Sequence, residues 1–398
     1  MKLSLASNYD PDLVAKLEDY PVVEIFGKLP YDLVGGGRPR YMGTPFSYRQ
    51  LAEYVSLARS YGIAFNYLLN AACMGNREWG QRWQKKFNRF LEKLSQAGVS
   101  RVTVATPFLL ELVKRRFPHL YVKVGIFAQV DTTRRAKFWE DLGAEAITLE
   151  SFSINRNFKA LRAIRKAVKC ELQLIVNHPC LPNCPMQYYH QNGFAHSSDG
   201  SKNFFLDYCS LKCARRRLQE PSLFIKSAWI RPEDIGFYEK MGYDSFKLLE
   251  RGIPSAEILK RVDAYSKKKF TGNLAELILP YGFRQPVRKE RFWLLRNFFR
   301  PFQVNPIRLK SFYDLIKWQG MLFELDHQPV KIDSSKIPKD FIEGFENHDC
   351  TMLDCSQCGY CERIADDAVR IDEGFRRKIL ERFDEVEDMM ISGDLWDV

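Results

Sequence analysis

Short apolar runs alternate with helix-like segments along the first two-thirds of the chain, and this alternation restricts the fold more than any other feature of the sequence. Helix-like segments end in glycine just before the next apolar run at Gly62, Gly98, Gly143 and Gly242. Glycine at the end of a helix adopts a left-handed backbone conformation without the steric penalty of a side chain. Repeated strand–helix units of this kind predict an α/β fold with a parallel sheet.

The number of units selects between two parallel folds. Candidate strands begin near Lys2, Val22, Ile63, Arg101, Tyr121, Ala146, Glu171 and Asp244. Eight strand–helix units favour a closed TIM-type (β/α)8 barrel over an open doubly wound sheet. The stretch from Asn177 to Asp244 is too long for one loop and one helix. It therefore predicts an insertion after strand seven, with a short extended piece at Phe224–Trp229.

The pattern changes after about Phe270, where basic and aromatic residues become frequent. The sequence therefore predicts a barrel over residues 1–270 and a small C-terminal domain over residues 271–398. No apolar run reaches the length of about 18 residues that a membrane-spanning helix needs. The segment Met1–Ala6 has neither the apolar core nor the cleavage site of a signal peptide. We therefore expect a cytoplasmic protein with no membrane span.

Ten cysteines in 398 residues need a chemical explanation. Disulfides are rare in a reducing cytosol, so clustered thiols there indicate metal or redox sites. The first group consists of two Cys-x3-Cys pairs, Cys180 with Cys184 and Cys209 with Cys213. Four thiolates suit an iron–sulfur cube or a structural zinc. The three-residue spacing and the position after a barrel strand favour a 4Fe–4S cluster.

The second group lies near the C-terminus and is denser than the first. Its members are Cys350, Cys355, Cys358 and Cys361. This spacing predicts a metal site, with an iron–sulfur cluster favoured and zinc as the alternative. We expect the second group to form an independent site in the small domain, so that one or two clusters are bound per chain.

Three stretches of the barrel region share motifs with a known family. They are Thr132–Glu150, with a helix that ends at Leu142-Gly143, then Leu172–Cys180, and Phe246–Gly252. In order and spacing they resemble peptidase family U32, the collagenase-like group of iron–sulfur α/β barrels, over about residues 1–270. The spacing of the first cysteine pair and the sequence Lys247–Arg251 depart from the family pattern and indicate a distant subfamily.

The resemblance implies an iron–sulfur-dependent enzyme related to proteins of oxygen-independent hydroxylation. Its substrate would be a small aromatic molecule or a nucleoside, such as a base in RNA. The alternative is a non-catalytic electron-transfer or scaffold protein that works with an electron-donor protein. A peptidase ranks third, because the sequence has neither a Gly-x-Ser-x-Gly elbow nor a His-Glu-x-x-His helix and only the family label supports it.

Polar residues at predicted strand ends are the candidates for the active site, because barrel enzymes carry their sites at the carboxyl ends of the strands. Catalytic candidates are Glu150, Lys247 and Arg251, and substrate-binding candidates are Asn70, Asn177 and Arg38. The two cations after strand eight are suited to clamp a carboxylate. Arg38 follows three glycines whose amides are suited to approach an anion.

Two further features bear on partners and on the first cysteine group. The net charge of +11 is suited to RNA or anionic small molecules, or belongs to a solvated basic surface. The basic, aromatic stretch Arg284–Arg300 is suited either to RNA or to a domain interface. His178 lies two residues before Cys180, where it is suited either to a hydrogen bond with the cluster or to packing.

Overall fold

Eight parallel strands form a closed barrel in sequence order, with β8 paired to β1. The strands are β1 (Lys2–Ala6), β2 (Val22–Gly27), β3 (Ala64–Leu69), β4 (Arg101–Val104), β5 (Tyr121–Val124), β6 (Ala146–Thr148), β7 (Glu171–Ile175) and β8 (Ser245–Leu248). This computed structural model describes residues 1–40, 46–199, 205–250, 252–279, 307, 328–346, 348, 350, 352 and 354–396. The TIM-type barrel predicted from the strand count is confirmed.

Helices connect the strands and cover the outside of the barrel. They are α1 (Pro11–Ala15), α2 (Tyr48–Ser60), α3 (Gln81–Gln96), α4 (Pro107–Arg116), α5 (Thr133–Asp141), α6 (Phe158–Ala167) and α11 (Ser255–Ser266). The insertion after β7 contains α7 (Gln187–Ser197), α8 (Tyr208–Gln219), α9 (Ser222–Lys226) and α10 (Ile235–Lys240). The short helix α12 (Ala275–Ile278) follows the last barrel helix.

Local sequence signals account for the ends of these helices. Ser47 begins α2 with a reciprocal capping box to Gln50, and Thr106 accepts a hydrogen bond from the Leu109 amide at the start of α4. Gly62, Gly98, Gly143 and Gly242 have φ values of 71°, 85°, 99° and 88°. The left-handed glycines predicted at the helix ends are therefore present.

One element of the insertion differs from its prediction. Phe224–Trp229 was expected to be extended, but residues 222–226 are helical. Pro221 precedes this helix with a φ of −59°, a backbone angle that a helix also requires. Leu223, Phe224 and Ile225 are all buried, and their apolar run belongs to a buried helix rather than to a strand.

The inside of the barrel is polar, while the outward faces of the strands are apolar and pack under the helices. Glu24 of β2 lies at the centre of this interior. The Lys123 ammonium lies 3.0 and 3.2 Å from its two carboxylate oxygens, and Ser4 donates a hydrogen bond of 2.5 Å. Arg101 adds a contact of 3.2 Å from the amino end of β4. A small apolar cluster of Ala6, Phe26 and Leu68 lies above this network.

The C-terminal residues pack against the same hydrophobic core as the barrel. They form β9 (Val330–Ile332), α13 (Cys355–Cys358), α14 (Tyr360–Ala368), β10 (Val369–Ile371) and α15 (Glu373–Ser392), with β9 and β10 antiparallel. Phe341 stacks on Trp229 of the insertion at 5.5 Å between ring centroids. The domain division at residue 270 stays a prediction. Within the described ranges, no helix is both long and apolar enough to cross a membrane.

Candidate functional site

The first cysteine group lies at the carboxyl end of the barrel, where the insertion leaves β7. Cys209 and Cys213 are four residues apart on α8, so both sulfurs lie on one face of that helix. Asp207 begins α8 by accepting a hydrogen bond from the Ser210 amide, and the positive end of the helix lies beside Cys209. Cys180 and Cys184 lie in the loop after β7.

The four thiols are close enough to affect one another's ionisation. Burial raises the pKa of Cys180 well above its usual value, and negative charge on Cys213 and Cys184 raises it further. Burial likewise raises the pKa of Cys209 to about 12, with Cys184 and Cys213 adding to the effect. The structure therefore places the four thiols near one another. That they bind metal stays a prediction.

A buried arginine lies beside these sulfurs, and its surroundings indicate whether the residues fit an iron–sulfur cluster. Arg217 lies one turn after Cys213, is only 5% exposed, and directs Nη1 to the Cys213 sulfur at 3.6 Å. Its Nε and Nη2 have no hydrogen-bond partner among the described residues. A buried guanidinium with free N–H groups is costly unless an anion lies beside it. Four thiolates on a cluster would supply that negative charge.

The distances between sulfur ligands differ between an iron–sulfur cluster and a single metal ion. Zinc holds each sulfur at about 2.3 Å and so draws four sulfurs tightly together. In the described part of the chain, no three His, Cys, Asp or Glu side chains converge closely enough to hold one metal ion. A cube places four irons between its ligands, so it accepts the more open arrangement. Four thiols thus suit a cluster chemically, and the choice between an iron–sulfur cluster and zinc at the first group stays a prediction.

His178 connects the first cysteine group to the loop after β6. Its Nε2 lies 3.2 Å from the Cys180 sulfur, and its Nδ1 lies 2.5 Å from the Ser151 hydroxyl. Burial, with the nearby charge of Arg217, lowers the pKa of His178 to about 3, so the ring is neutral. A neutral imidazole that accepts from Ser151 at Nδ1 carries its proton on Nε2 and donates to the sulfur.

Glu150 is a catalytic candidate whose charge influences Cys180. It is buried, its negative charge adds to the rise in the pKa of Cys180, and burial raises its own pKa. Its carboxylate accepts hydrogen bonds from the Phe152 amide at 2.5 Å and from the Ser153 amide at 2.9 Å. Glu150 therefore fixes the loop that holds Ser151 against His178.

The two predicted asparagines have different surroundings. Asn177 is buried, with Oδ1 accepting from the Leu249 amide at 2.7 Å and Nδ2 donating to the Leu249 and Leu277 carbonyls. These bonds join β7 to the end of β8, so the side chain has a structural role. Asn70 is 8% exposed, and its Oδ1 has no hydrogen-bond partner within the described ranges. Asn70 is thus the candidate better placed for a substrate contact.

Of the two residues of the predicted cation clamp, Lys247 is the one that lies among the described residues. Lys247 is buried, with its ammonium 4.0 Å from the centre of the Phe26 ring, inside the barrel rather than in the loop. Arg38 pairs instead with Glu250, which follows β8 with a φ of 90°. Arg251 lies outside the described residues, as does Arg284–Arg300. The Gly35 amide donates to Asp32 and the Gly36 amide to Ser198, so both have partners within the chain.

Residues 34–187 match the family described as peptidase family U32. Over 274 residues the chain is 34% identical to the protein named Uncharacterized protease MJ1657 from Methanocaldococcus jannaschii, and the match covers 69% of this chain and 79% of that protein. The chain belongs to peptidase family U32. Among solved structures, the U32 peptidase Mk0906 is 23% identical with a TM-score of 0.49, and the match covers 64% of this U32 chain and 94% of Mk0906.

This U32 protein has polar residues at the carboxyl end of the barrel, called here the barrel mouth, that the sequence interpretation missed. Lys28 directly follows β2 and pairs with Asp32 at 3.1 Å, and Gln129 follows β5 with its amide 3.3 Å from Gln191. The strand-end rule that selected Asn70 also applies to Lys28. Arg217 was missed as well, although it continues the four-residue spacing of Cys209 and Cys213.

The second cysteine group lies outside the residues matched to the U32 family and packs against the barrel. It shares a cavity of about 70 Å³ with residues from the loops after β6 and β7. Phe152 and Arg156 line it from the first loop, and Asn183 lines it from the second. The C-terminal segment therefore packs directly on the carboxyl face of the barrel, and that its four cysteines form an independent metal site stays a prediction.

Proposed function

We propose that this U32 protein is an iron–sulfur-dependent enzyme that hydroxylates a small aromatic or nucleoside substrate, such as a base in RNA, without dioxygen. The observation that supports the cluster is the position of Arg217. Its buried guanidinium lies beside the first cysteine group, and its Nε and Nη2 have no hydrogen-bond partner among the described residues. The class of reaction and substrate rests on the resemblance to family members of that kind. The oxygen atom would come from an oxygen-donor substrate, which loses that oxygen and is reduced by two electrons while the C–H group of the hydroxylated substrate is oxidised to C–OH.

The residues around the cysteines have distinct roles in this proposal. A 4Fe–4S cluster on Cys180, Cys184, Cys209 and Cys213 would supply one-electron transfer or a binding point for the oxygen donor. Arg217 balances the charge of the thiolates. His178 holds a proton on Nε2 and donates it in a hydrogen bond to the Cys180 sulfur, which favours the reduced state of a cluster. Glu150 keeps the Ser151 hydroxyl against His178.

The barrel mouth provides the substrate contacts in this proposal. Asn70 directs a buried oxygen toward the loop at Gly36, where an added Cβ would lie 2.7 Å from that oxygen. Glycine at this position therefore keeps the mouth open beside Asn70. Lys28 and Arg38 provide positive charge at the same end of the barrel, in ion pairs with Asp32 and Glu250. These pairs provide polar groups for a polar substrate.

Anaerobic purification followed by iron and sulfide analysis tests the cluster. The expected result is labile sulfide in amounts equal to iron, with loss of about four irons in Cys180→Ser. Cys73→Ser is the matched control, because Cys73 belongs to neither group and its change should leave the iron unchanged. Iron that is absent, or that does not depend on Cys180, would contradict the proposal.

The reaction is tested by comparing modified nucleosides and quinones in anaerobic cells that contain the protein or its Cys180→Ser variant. The proposal expects a hydroxylated product that disappears in the variant. A product that requires dioxygen would contradict it. Peptide hydrolysis that persists in Cys180→Ser would favour the peptidase instead.

A second candidate, electron relay, is favoured by one ring contact. The centres of the Phe152 and His178 rings are 4.7 Å apart. Phe152 lines the cavity of the second cysteine group, while His178 contacts Cys180 of the first. A short path therefore joins the two groups. Asn70→Ala separates the candidates, because it should weaken substrate turnover in an enzyme and leave electron transfer through a relay unchanged.

A further inference from the structure

The cavity at the second cysteine group is built by two distant parts of the chain. Cys355 and Cys358 lie on α13, and Gly359 turns the backbone with a φ of 61°, so that Cys361, the second residue of α14, lines the same cavity. Cys350 lines it from the preceding loop. The opposite wall is the loop after β6, which the barrel holds in place.

A buried cation faces these sulfurs from the barrel side. Arg156 is 8% exposed and donates to the carbonyls of Ile225 at 2.6 Å and Trp229 at 3.2 Å. Its Nε has no hydrogen-bond partner in the part of the chain that is described. Arg156 lines the same cavity as Cys350, Cys355, Cys358 and Cys361.

Aromatic rings hold this cation in position. The Arg156 guanidinium lies 4.8 Å from the centre of the Trp229 ring, 4.7 Å from that of Phe345 and 5.1 Å from that of Phe341. Such rings attract a cation but do not neutralise it. The unbonded Nε therefore leaves a positive charge for an anion in the cavity.

A second cation fastens the cysteine segment to the barrel insertion. Lys226 of α9 pairs with Glu362 of α14 at 2.5 Å and with Glu220 at 2.8 Å. Glu362 follows Cys361, so this bridge holds Cys361 at the wall of the cavity. The cavity therefore depends on contacts from both segments.

We infer that Cys350, Cys355, Cys358 and Cys361 bind a second iron–sulfur cluster in a site that the barrel completes through Arg156. All four cysteines line one cavity, and a cube places its irons between its sulfur ligands, whereas a single zinc holds each sulfur at about 2.3 Å. The cluster thiolates supply the anion that Arg156 lacks. The inference is independent of the substrate and of the first cluster.

Iron counting after anaerobic reconstitution with iron and sulfide tests this site. The wild-type chain should hold about eight irons, and Cys358→Ser and Cys180→Ser should each hold about four. Cys73→Ser is again the control and should keep all of the iron. Circular dichroism establishes that each variant is folded before iron is compared.

Each other outcome has a defined meaning. Stoichiometric zinc with about four irons, unchanged iron in Cys358→Ser, or loss of all iron from folded Cys358→Ser overturns the second cluster. Iron that depends on Cys358 but not on Cys180 would support the second cluster and contradict the first. Failure of the proposed function is therefore distinguishable from failure of this inference.

Arg156 provides a test with a different readout. Arg156→Met removes a positive charge beside the cluster, so the reduction potential of the second cluster should fall while that of the first is unchanged. Arg156→Lys keeps the charge and should recover most of the difference. Equal potentials in the wild type and in folded Arg156→Met would show that Arg156 does not face the cluster.

Discussion

Two buried arginines, Arg217 and Arg156, lie beside the two cysteine groups, and each has a nitrogen without a hydrogen-bond partner among the described residues. Burying a cation in this way destabilises a protein unless an anion compensates for the lost water. Their location favours anionic metal–thiolate sites over sets of neutral thiols. Because Arg217 also contacts Cys213 directly, it is the more sensitive test of the barrel site.

Substitution of Arg217 is predicted to weaken the barrel cluster. Arg217→Met should lower both the retention of iron and the reduction potential of that cluster, because the thiolates lose their neighbouring positive charge. The matched control is Arg216→Met, since Arg216 is an exposed residue of the same helix. Iron analysis and a redox titration followed by electron paramagnetic resonance measure both effects. Identical behaviour of the two variants would exclude the role of Arg217.

At the scale of the strands, the charged pair inside the barrel is the unusual element. Burial alone would raise the pKa of Glu24, but the charge of Lys123 and the hydrogen bond from Ser4 outweigh it and lower the pKa to about 2. A carboxyl whose pKa is lower in the folded than in the unfolded state stabilises the fold above its usual pKa. That stabilisation is lost as pH falls from about 4.5 toward 2.

Glu24→Gln is predicted to destabilise the barrel at neutral pH. The free energy of unfolding should fall by about 3 to 5 kcal/mol, because Lys123 is left buried without its anion. As the pH falls below about 4.5, the free energy of unfolding should also decrease less in the variant than in the wild type. Urea unfolding at a series of pH values measures both effects. Glu53→Gln, at an exposed position on α2, is the control and should change the free energy little.

The periodic apolar pattern predicted the strands because it shows which residues of each segment face the helices. The number of strand–helix units then predicted that the sheet is closed. The apolar pattern did not predict that Glu24 pairs with Lys123, since strand tilt brings these residues together from distant positions. Asn70, Asn177 and Glu150 do lie at the strand ends. Only the backbone geometry shows that Asn177 bonds to the end of β8 while Asn70 keeps a buried oxygen without a described partner.

At the scale of the whole molecule, the C-terminal helix is attached to the helix that carries two cysteines of the first group. Lys212 and Arg215 of α8 pair with Glu387 and Asp384 of α15, the second pair at 2.6 Å. Lys212 and Arg215 flank Cys213. Movement of α15 is therefore expected to expose the barrel cysteines, although a single ion pair at a surface contributes only about 0 to 1 kcal/mol.

Glu387→Lys is predicted to loosen α15 from α8 because it places a third cation beside Lys212 and Arg215. Anaerobic iron content should stay near that of the wild type, since Glu387 is not a ligand, but loss of the barrel cluster in air should be faster. Absorbance during exposure to oxygen measures that rate, and limited proteolysis measures release of α15. The double variant Lys212→Glu with Glu387→Lys restores opposite charges and should recover most of the protection. Glu385→Lys, at an exposed position of α15, should behave as the wild type. If Glu387→Lys releases α15 while the cluster decays at the wild-type rate, the C-terminal helix does not shield the barrel cysteines.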